Sequence, residues 1–333
     1  MASRPFSVML KPVGASCNLA CGYCYYREKA SGWMTEATLD LATREVLDAH
    51  PARELEIGWH GGEPTLRGLP FFRRAVATQM RLSRGRRVQN VIQTNGTRLD
   101  AEWAAFFAQS RFLVGLSIDG PAAMHDAGRG GGYAEALAAL RLLRRYQVDT
   151  NMLCVVGPHN VHAPVEVYEH LVKLGGVVLQ FIPAHAPASV SASDYGRFMV
   201  GILARWQRDL GRVFVQDVEV ALQARLGLPT SRCVNRERCG DQLVIEADGS
   251  VYACDHAVDA AHRLGRLGDD HLVDLLDHPV LRALGDEKAR LPSTCRRCRS
   301  RVACRGGCPL RRDTVTGVAA LCEGYRTFYN AFS

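Results

Sequence analysis

The sequence predicts an α/β fold, a parallel sheet curled into a partial (β/α)6 TIM-type barrel, followed by a loop-rich, cysteine-dense C-terminal domain. Three observations predict it. A β-type run, a glycine or polar turn and an amphipathic stretch of helical period recur six times between residue 5 and about residue 210. The turns after the runs are conspicuously glycine-rich and polar. Eleven of the 12 cysteines fall in two groups, towards the two ends of the chain.

The six runs are Phe6 to Lys11, Leu55 to His60, Val88 to Thr94, Phe112 to Ile118, Val148 to Val156 and Val177 to Ile182. Between and after them lie helical stretches at Thr35 to Ala49, Pro70 to Leu82, Ala101 to Ala108, Tyr133 to Tyr146, Pro164 to Leu174 and Ala192 to Leu210. Consecutive βα units demand parallel strands, and right-handed crossovers curl them. Chemistry in such folds gathers in the loops leaving the C-terminal strand ends. Here these are Cys17 to Tyr26, Gly61-Gly62-Glu63-Pro64, Asn95-Gly96-Thr97 and Asp119-Gly120-Pro121. The rhythm stops near residue 211, which predicts a barrel domain over 1–210, a bridge over 211–232 and a cysteine-dense domain over 233–333.

With 47% hydrophobic and 23% charged residues among 333, the chain is expected to be globular rather than disordered. No window approaches the roughly 18 to 20 apolar residues of a membrane helix, and the start lacks a secretory h-region, so a soluble cytoplasmic protein is expected, with no membrane partner. The net charge of +7 is scattered apart from a run at Arg296 to Arg312 interleaved with cysteines, which argues against nucleic acid. In a reducing compartment the cysteines are not expected to be disulfides. Cys154, alone in an apolar run, reads as a buried small hydrophobe.

Cys17, Cys21 and Cys24 are spaced C-x3-C-x2-C on one short loop. A cubane cluster normally takes four thiolates, so three leave one iron open, as a catalytic site requires. A zinc knuckle lacking its fourth ligand is the alternative. In the second group, Cys233, Cys239 and Cys254 precede Cys295, Cys298, Cys304 and Cys308, with Cys322 last. Eight thiols can close two four-ligand sites, either structural zinc or iron-sulfur clusters.

The first cysteine loop, followed by Tyr25 and Tyr26 and, one strand later, by Gly61-Gly62-Glu63-Pro64, resembles the radical S-adenosylmethionine (SAM) enzymes. That resemblance implies SAM chelating the open iron, with the two glycines near its methionine end and Glu63 near its amino group. The second group resembles the SPASM domain. It implies one auxiliary 4Fe–4S cluster on Cys233, Cys239, Cys254 and Cys308 and another on Cys295, Cys298, Cys304 and Cys322, three clusters in all. Over nearly the whole chain the sequence is similar to anaerobic sulfatase-maturating enzymes. The likeness rests on Lys11-Pro12, Trp59 to Leu66, Gln93 to Thr97, Phe112 to Pro121, Gln180-Phe181-Ile182 and Val251 to His256.

Those enzymes oxidise a cysteine or serine of a sulfatase to formylglycine. The likeness implies that Ser117, Asp119 and Arg129 contact SAM, that Tyr26 lines the pocket and that Asp255 is the base. It also implies a protein or peptide substrate and an external one-electron donor such as flavodoxin or ferredoxin. His60 stands where those maturases are expected to carry Gln, the segment from Pro183 to Asp194 is short, and the chain ends soon after Cys322. A second reading is a maturase that forms cyclophane or other side-chain crosslinks in a ribosomally made peptide. A third, of another class, is an iron-sulfur electron carrier or metal-stabilised nucleic-acid binder without SAM chemistry.

Overall fold

The computed structural model describes residues 2–186, 188–230 and 232–332; Met1, Pro187, Ser231 and Ser333 lie outside the description. Six strands follow the expected rhythm: β1 (Ser7–Leu10), β2 (Glu54–Trp59), β3 (Arg87–Thr94), β4 (Leu113–Ser117), β5 (Asp149–Val156) and β6 (Val178–Pro183). Their helices are α1 (Glu36–Ala49), α2 (Leu69–Leu82), α3 (Ala101–Gln109), α4 (Ala122–Arg129), α5 (Tyr133–Arg145), α6 (Pro164–Lys173) and α7 (Ala192–Trp206). Helix starts are set by local chemistry. Thr35, Asp100 and Ser191 each accept a hydrogen bond from an otherwise unpaired first-turn N–H, and Pro164 occupies the first turn of α6.

Neighbouring strands pair in parallel, with Val8 opposite Ile57 and Gly115 opposite Asn151. In β2, Leu55, Ile57 and Trp59 are buried while Glu54 and Glu56 are exposed. The Trp59 ring meets Phe72 of α2 at 5.2 Å, and Phe72 meets Trp103 of α3 at 5.4 Å, so the buried alternation faces the helical layer. Each such fully buried side chain contributes roughly 1.5–3 kcal/mol of hydrophobic stabilisation. Cys154 is wholly buried in β5, as expected.

Beyond α7 the structure holds more order than the sequence pattern suggested. The bridge contains β7 (Phe214–Val215) and α8 (Gln216–Arg225). The C-terminal segment adds β8 (Gln242–Ile245), β9 (Ser250–Tyr252), β10 (Arg263–Arg266), α9 (Leu272–Leu275), α10 (Pro279–Ala289), α11 (Ser293–Arg296), α12 (Arg301–Cys304) and α13 (Cys322–Asn330). Strand β8 pairs in parallel with β1, Val8 opposite Leu243, and one sheet runs β10-β9-β8-β1-β2-β3-β4-β5-β6-β7. The cysteine-rich segment is therefore fused to the barrel through its first strand. Leu243, Val244 and Ile245 have no exposed surface, but a run this short carries little periodicity.

Helix α13 lies on α7. A Cβ at Gly324 would sit 2.3 Å from the Ala192 carbonyl oxygen, so only glycine lets the two helices approach this closely. That contact anchors Cys322 to the barrel. Among the described residues no helix is long and apolar enough to cross a membrane.

Candidate active site

A cavity of about 580 Å³ opens at the C-terminal strand ends. Both cysteine groups reach it: Cys17, Cys21 and Cys24 from the loop after β1, and Cys233, Cys239, Cys254 and Cys308 from the C-terminal segment. Tyr26, Gly61, Gly62, Glu63, Ser117, Arg129 and Asp255 line the same space.

The two motif loops are pressed together. Gly62 N donates to Gly14 O and Glu63 N to Ser16 O, each at 2.8 Å, and a Cβ on Gly62 would lie 2.0 Å from the Ser16 oxygen. Gly62 is thus required for backbone-to-backbone packing beneath the cysteine loop. The Glu63 carboxylate, 1% exposed, is engaged within the protein. One oxygen accepts from Thr65 N (3.0 Å), Thr65 Oγ1 (2.6 Å) and Thr94 Oγ1 (2.8 Å), and the other from Asn95 N (2.8 Å). Asn95 in turn donates to Asn18 Oδ1 at 3.0 Å, tying the end of β3 to the cysteine loop. Glu63 therefore joins three loops at the cavity wall.

Asp119, expected from the sequence as a direct SAM contact, stands behind that wall with no exposed surface. It accepts from Arg129 Nη2 (3.0 Å), Val155 N (2.9 Å) and Tyr23 Oη (2.5 Å), while Arg129 Nε lies 3.0 Å from its second oxygen. Burial opposes its charge, but Arg129, His159 and Tyr23 hold the carboxyl well below the usual range. What reaches the cavity is Arg129, aimed by Asp119.

Asp255 directly follows Cys254 and is 8% exposed. Lys11 Nζ and Tyr25 Oη both donate to its carboxylate. Burial works against ionisation, yet Lys11 above all holds the carboxyl well below the ordinary carboxylate range. Lys11 is itself wholly buried, lies 4.3 Å from the Tyr26 ring centroid and approaches His60 Nδ1 at 3.3 Å. His60 Nδ1 also accepts from Gly61 N at 2.7 Å, which leaves the ring proton on Nε2. Burial and Lys11 push His60 down to about 4, so it is neutral at pH 7. Tyr26 donates to Glu246, and the His256 ring packs 4.7 Å from Tyr25.

The remaining thiols fall into two sets by mutual influence. Burial, with Cys233 and Cys308 adding to it, pushes Cys239 up to about 11 and Cys254 to about 12. Burial likewise raises Cys322, with Cys295 and Cys298 adding to it, and Cys304 rises to about 11 with Cys322 among the causes. Thiols held protonated by burial must release protons to bind metal, and thiolate-rich sets of three, four and four suit iron-sulfur ligation.

Lys11, Tyr23, Tyr25 and Glu246 entered the site without a role foreseen for them. Local signals existed for three of them, Tyr23 and Tyr25 in and beside the cysteine loop and Lys11 closing an apolar strand, and for Glu246 there was none.

A partial barrel with an open three-cysteine loop at its active edge, joined to a segment holding eight more cysteines in two sets of four, defines a radical SAM enzyme with a SPASM domain. The Radical SAM superfamily matches residues 12–171, and the SPASM iron-sulfur cluster-binding domain matches residues 233–299. The chain is 38% identical to the serine-type anaerobic sulfatase-maturating enzyme of Klebsiella aerogenes, over 98% of this chain and 85% of that protein. It is 30% identical to the cysteine-type enzyme of Clostridium perfringens, over 98% and 95%. The solved structure of native anSMEcpe with bound AdoMet has a TM-score of 0.93 at 30% identity, covering 98% of this chain and 97% of that one. This chain belongs to the anaerobic sulfatase-maturating enzyme family, whose cofactors are SAM and three 4Fe–4S clusters.

Proposed function

We propose that this enzyme oxidises a serine or cysteine side chain of a sulfatase segment to the aldehyde of formylglycine. The observation that carries the reading is Asp255. A buried carboxylate held ionised by Lys11 opens onto the one cavity that also receives the three-cysteine loop and the Cys233, Cys239, Cys254 and Cys308 set. The peptide partner is supported by a solved relative described with AdoMet and a Cp18Cys peptide.

In this reading Cys17, Cys21 and Cys24 hold the catalytic cluster, and the two cysteine quartets hold the auxiliary ones. Ser117, Arg129, Tyr26 and the Gly61-Gly62 backbone surround SAM, with Glu63 and Asp119 fixing the wall. When bound, SAM and the clusters supply a 5'-deoxyadenosyl radical that takes hydrogen from the substrate Cβ, and a sink for the electron that follows. Asp255 receives the proton from the substrate hydroxyl or thiol at its carboxylate oxygen; serine then gives the aldehyde directly, and cysteine a thioaldehyde that water hydrolyses with release of hydrogen sulfide. Lys11 on one carboxylate oxygen and Tyr25 on the other keep the group pointed and ionised, and the surrounding burial excludes water. An external one-electron carrier of the flavodoxin or ferredoxin kind feeds the catalytic cluster.

The deciding experiment incubates reconstituted enzyme with SAM, a reductant and a serine-containing sulfatase peptide. Formylglycine appears as loss of two hydrogens together with reactivity towards hydrazine. The same mass loss without hydrazine reactivity is a ring, and would move the enzyme to side-chain crosslinking.

A further inference from the structure

Lys288, in α10, has no exposed surface, and its ammonium is saturated by three backbone carbonyls. It donates to Val234 O at 2.9 Å, Arg305 O at 2.8 Å and Gly307 O at 2.7 Å. Each carbonyl belongs to a residue adjoining a cysteine: Val234 follows Cys233, Arg305 follows Cys304 and Gly307 precedes Cys308. Two of those cysteines belong to the first quartet and one to the second, so a single ammonium ties both ligand sets together. Arg312 reinforces the junction, donating to Gly306 O at 3.0 Å and Lys288 O at 2.8 Å.

No ion pair joins Lys288 to a carboxylate among the described residues; burial and the Arg312 guanidinium push its ammonium down to about 8, and the groups that act in favour of its charge are Cys304, Cys239 and Cys308. A buried charge normally survives only with a counter-charge. Here that role falls to thiolates, and a four-thiolate 4Fe–4S cluster is a net anion that gains one further negative charge on reduction. A fixed cation beside it stabilises the reduced form more than the oxidised form.

We propose that Lys288 is the shared counter-ion of the two auxiliary clusters, a positioning residue whose charge raises the reduction potential of both. The electron given up by the substrate radical, after the hydroxyl or thiol proton passes to Asp255, enters clusters poised to take it. The inference rests on the placing of the eight cysteines in two clusters.

The test is a potentiometric EPR titration of reconstituted holoenzyme, in which the catalytic cluster is recognised by its response to added SAM. In Lys288→Gln, which keeps hydrogen-bond donors but not the charge, both auxiliary clusters should become harder to reduce. The expected change is about tenfold in the oxidised-to-reduced ratio at fixed potential, or about 59 mV for a one-electron couple. Lys288→Arg should stay near wild type, and the catalytic cluster should not move. Unchanged potentials in Lys288→Gln, or a shift confined to one auxiliary cluster, overturn the proposal. If Lys288→Gln loses auxiliary iron, retention of that iron by Lys288→Arg supports a need for charge, and its loss there too shows a need for lysine's shape and overturns the proposal. Wild-type iron of about four rather than about twelve per chain would instead refute the cluster placement itself.

Discussion

Asp255→Asn removes one charge from a pair that neither member can exchange for water, because Lys11 has no exposed surface and Asp255 only 8%. Breaking a buried pair from one side costs about 3–5 kcal/mol. The Asn oxygen replaces only one of the two carboxylate oxygens, so either Lys11 or Tyr25 is left facing the amide nitrogen, and a figure within that range, ~4 kcal/mol, is expected. The sign with pH follows from the depressed carboxyl. Its contribution to stability is complete above the unfolded value of about 3.9 and is lost as pH falls through the lower folded value, so at pH 7 the variant forfeits all of it. Product should fall about a hundred- to ten-thousand-fold, the usual contribution of a general base. Hydrogen abstraction comes first, so 5'-deoxyadenosine should still form, and deuterium from the substrate Cβ should still enter it. The double variant Lys11→Met/Asp255→Asn leaves no orphaned charge and should recover the thermal midpoint of the anaerobic holoenzyme without recovering product. If product returns along with stability, Asp255 serves the fold alone and another group is the base.

Replacing Cys17, Cys21 and Cys24 together by Ala should abolish SAM cleavage while about eight of about twelve irons remain, and loss of all iron on colorimetric assay would contradict independent sites. Asp119→Ala leaves Arg129 unaimed and should weaken SAM binding by about tenfold, ~1.4 kcal/mol, with catalytic-cluster iron retained; unchanged affinity in equilibrium dialysis would displace SAM from this wall. Because burial lifts Cys21 to about 11 and Cys254 to about 12, loading the clusters must release protons. Iron incorporated at equilibrium should therefore fall as pH is lowered from 8 to 6, and a flat profile would mean that the thiols are already ionised in the apoprotein.

The barrel was legible because period and local chemistry coincide. Leu55, Ile57 and Trp59 alternate, Asp100 caps α3, and each strand ends in a polar loop. The cysteine loop was legible because three thiols serving one cluster must lie close in sequence. Helix α4 was hidden by its brevity and by the Asp119-Gly120-Pro121 turn that precedes it, and β8, no shorter than β1, by lying among the cysteines after the βα rhythm has stopped. The charge network was out of reach for another reason. Lys11 and Asp255 are 244 positions apart, Tyr26 and Glu246 are 220 apart, and each pair meets only because β8 docks beside β1. No local pattern records a contact made by sheet order. Lys288 leaves no trace either, since a lysine in the run Asp-Glu-Lys-Ala-Arg reads as a solvated helix face.

The same division explains why the reaction class was easier to read than the substrate. Metal ligation constrains spacing, whereas choice of substrate rests on cavity side chains such as His60, which the chain carries where Gln was expected. In the structure the imidazole is neutral, accepts from Gly61 N and Lys11 at Nδ1, and interacts with Gln93. A glutamine amide offers the same pair of functions, an accepting oxygen and a donating nitrogen. His60→Gln should therefore preserve the Asp255 network and keep product formation within about tenfold of wild type, ~1.4 kcal/mol. His60→Leu strands the Gly61 and Lys11 donors at a cost of ~1–3 kcal/mol and should lower stability and product together. The informative measurement is the ratio of product to 5'-deoxyadenosine in His60→Gln. If that ratio collapses while the protein stays folded, the imidazole itself acts on the substrate, and side-chain crosslinking becomes the better account of this cavity.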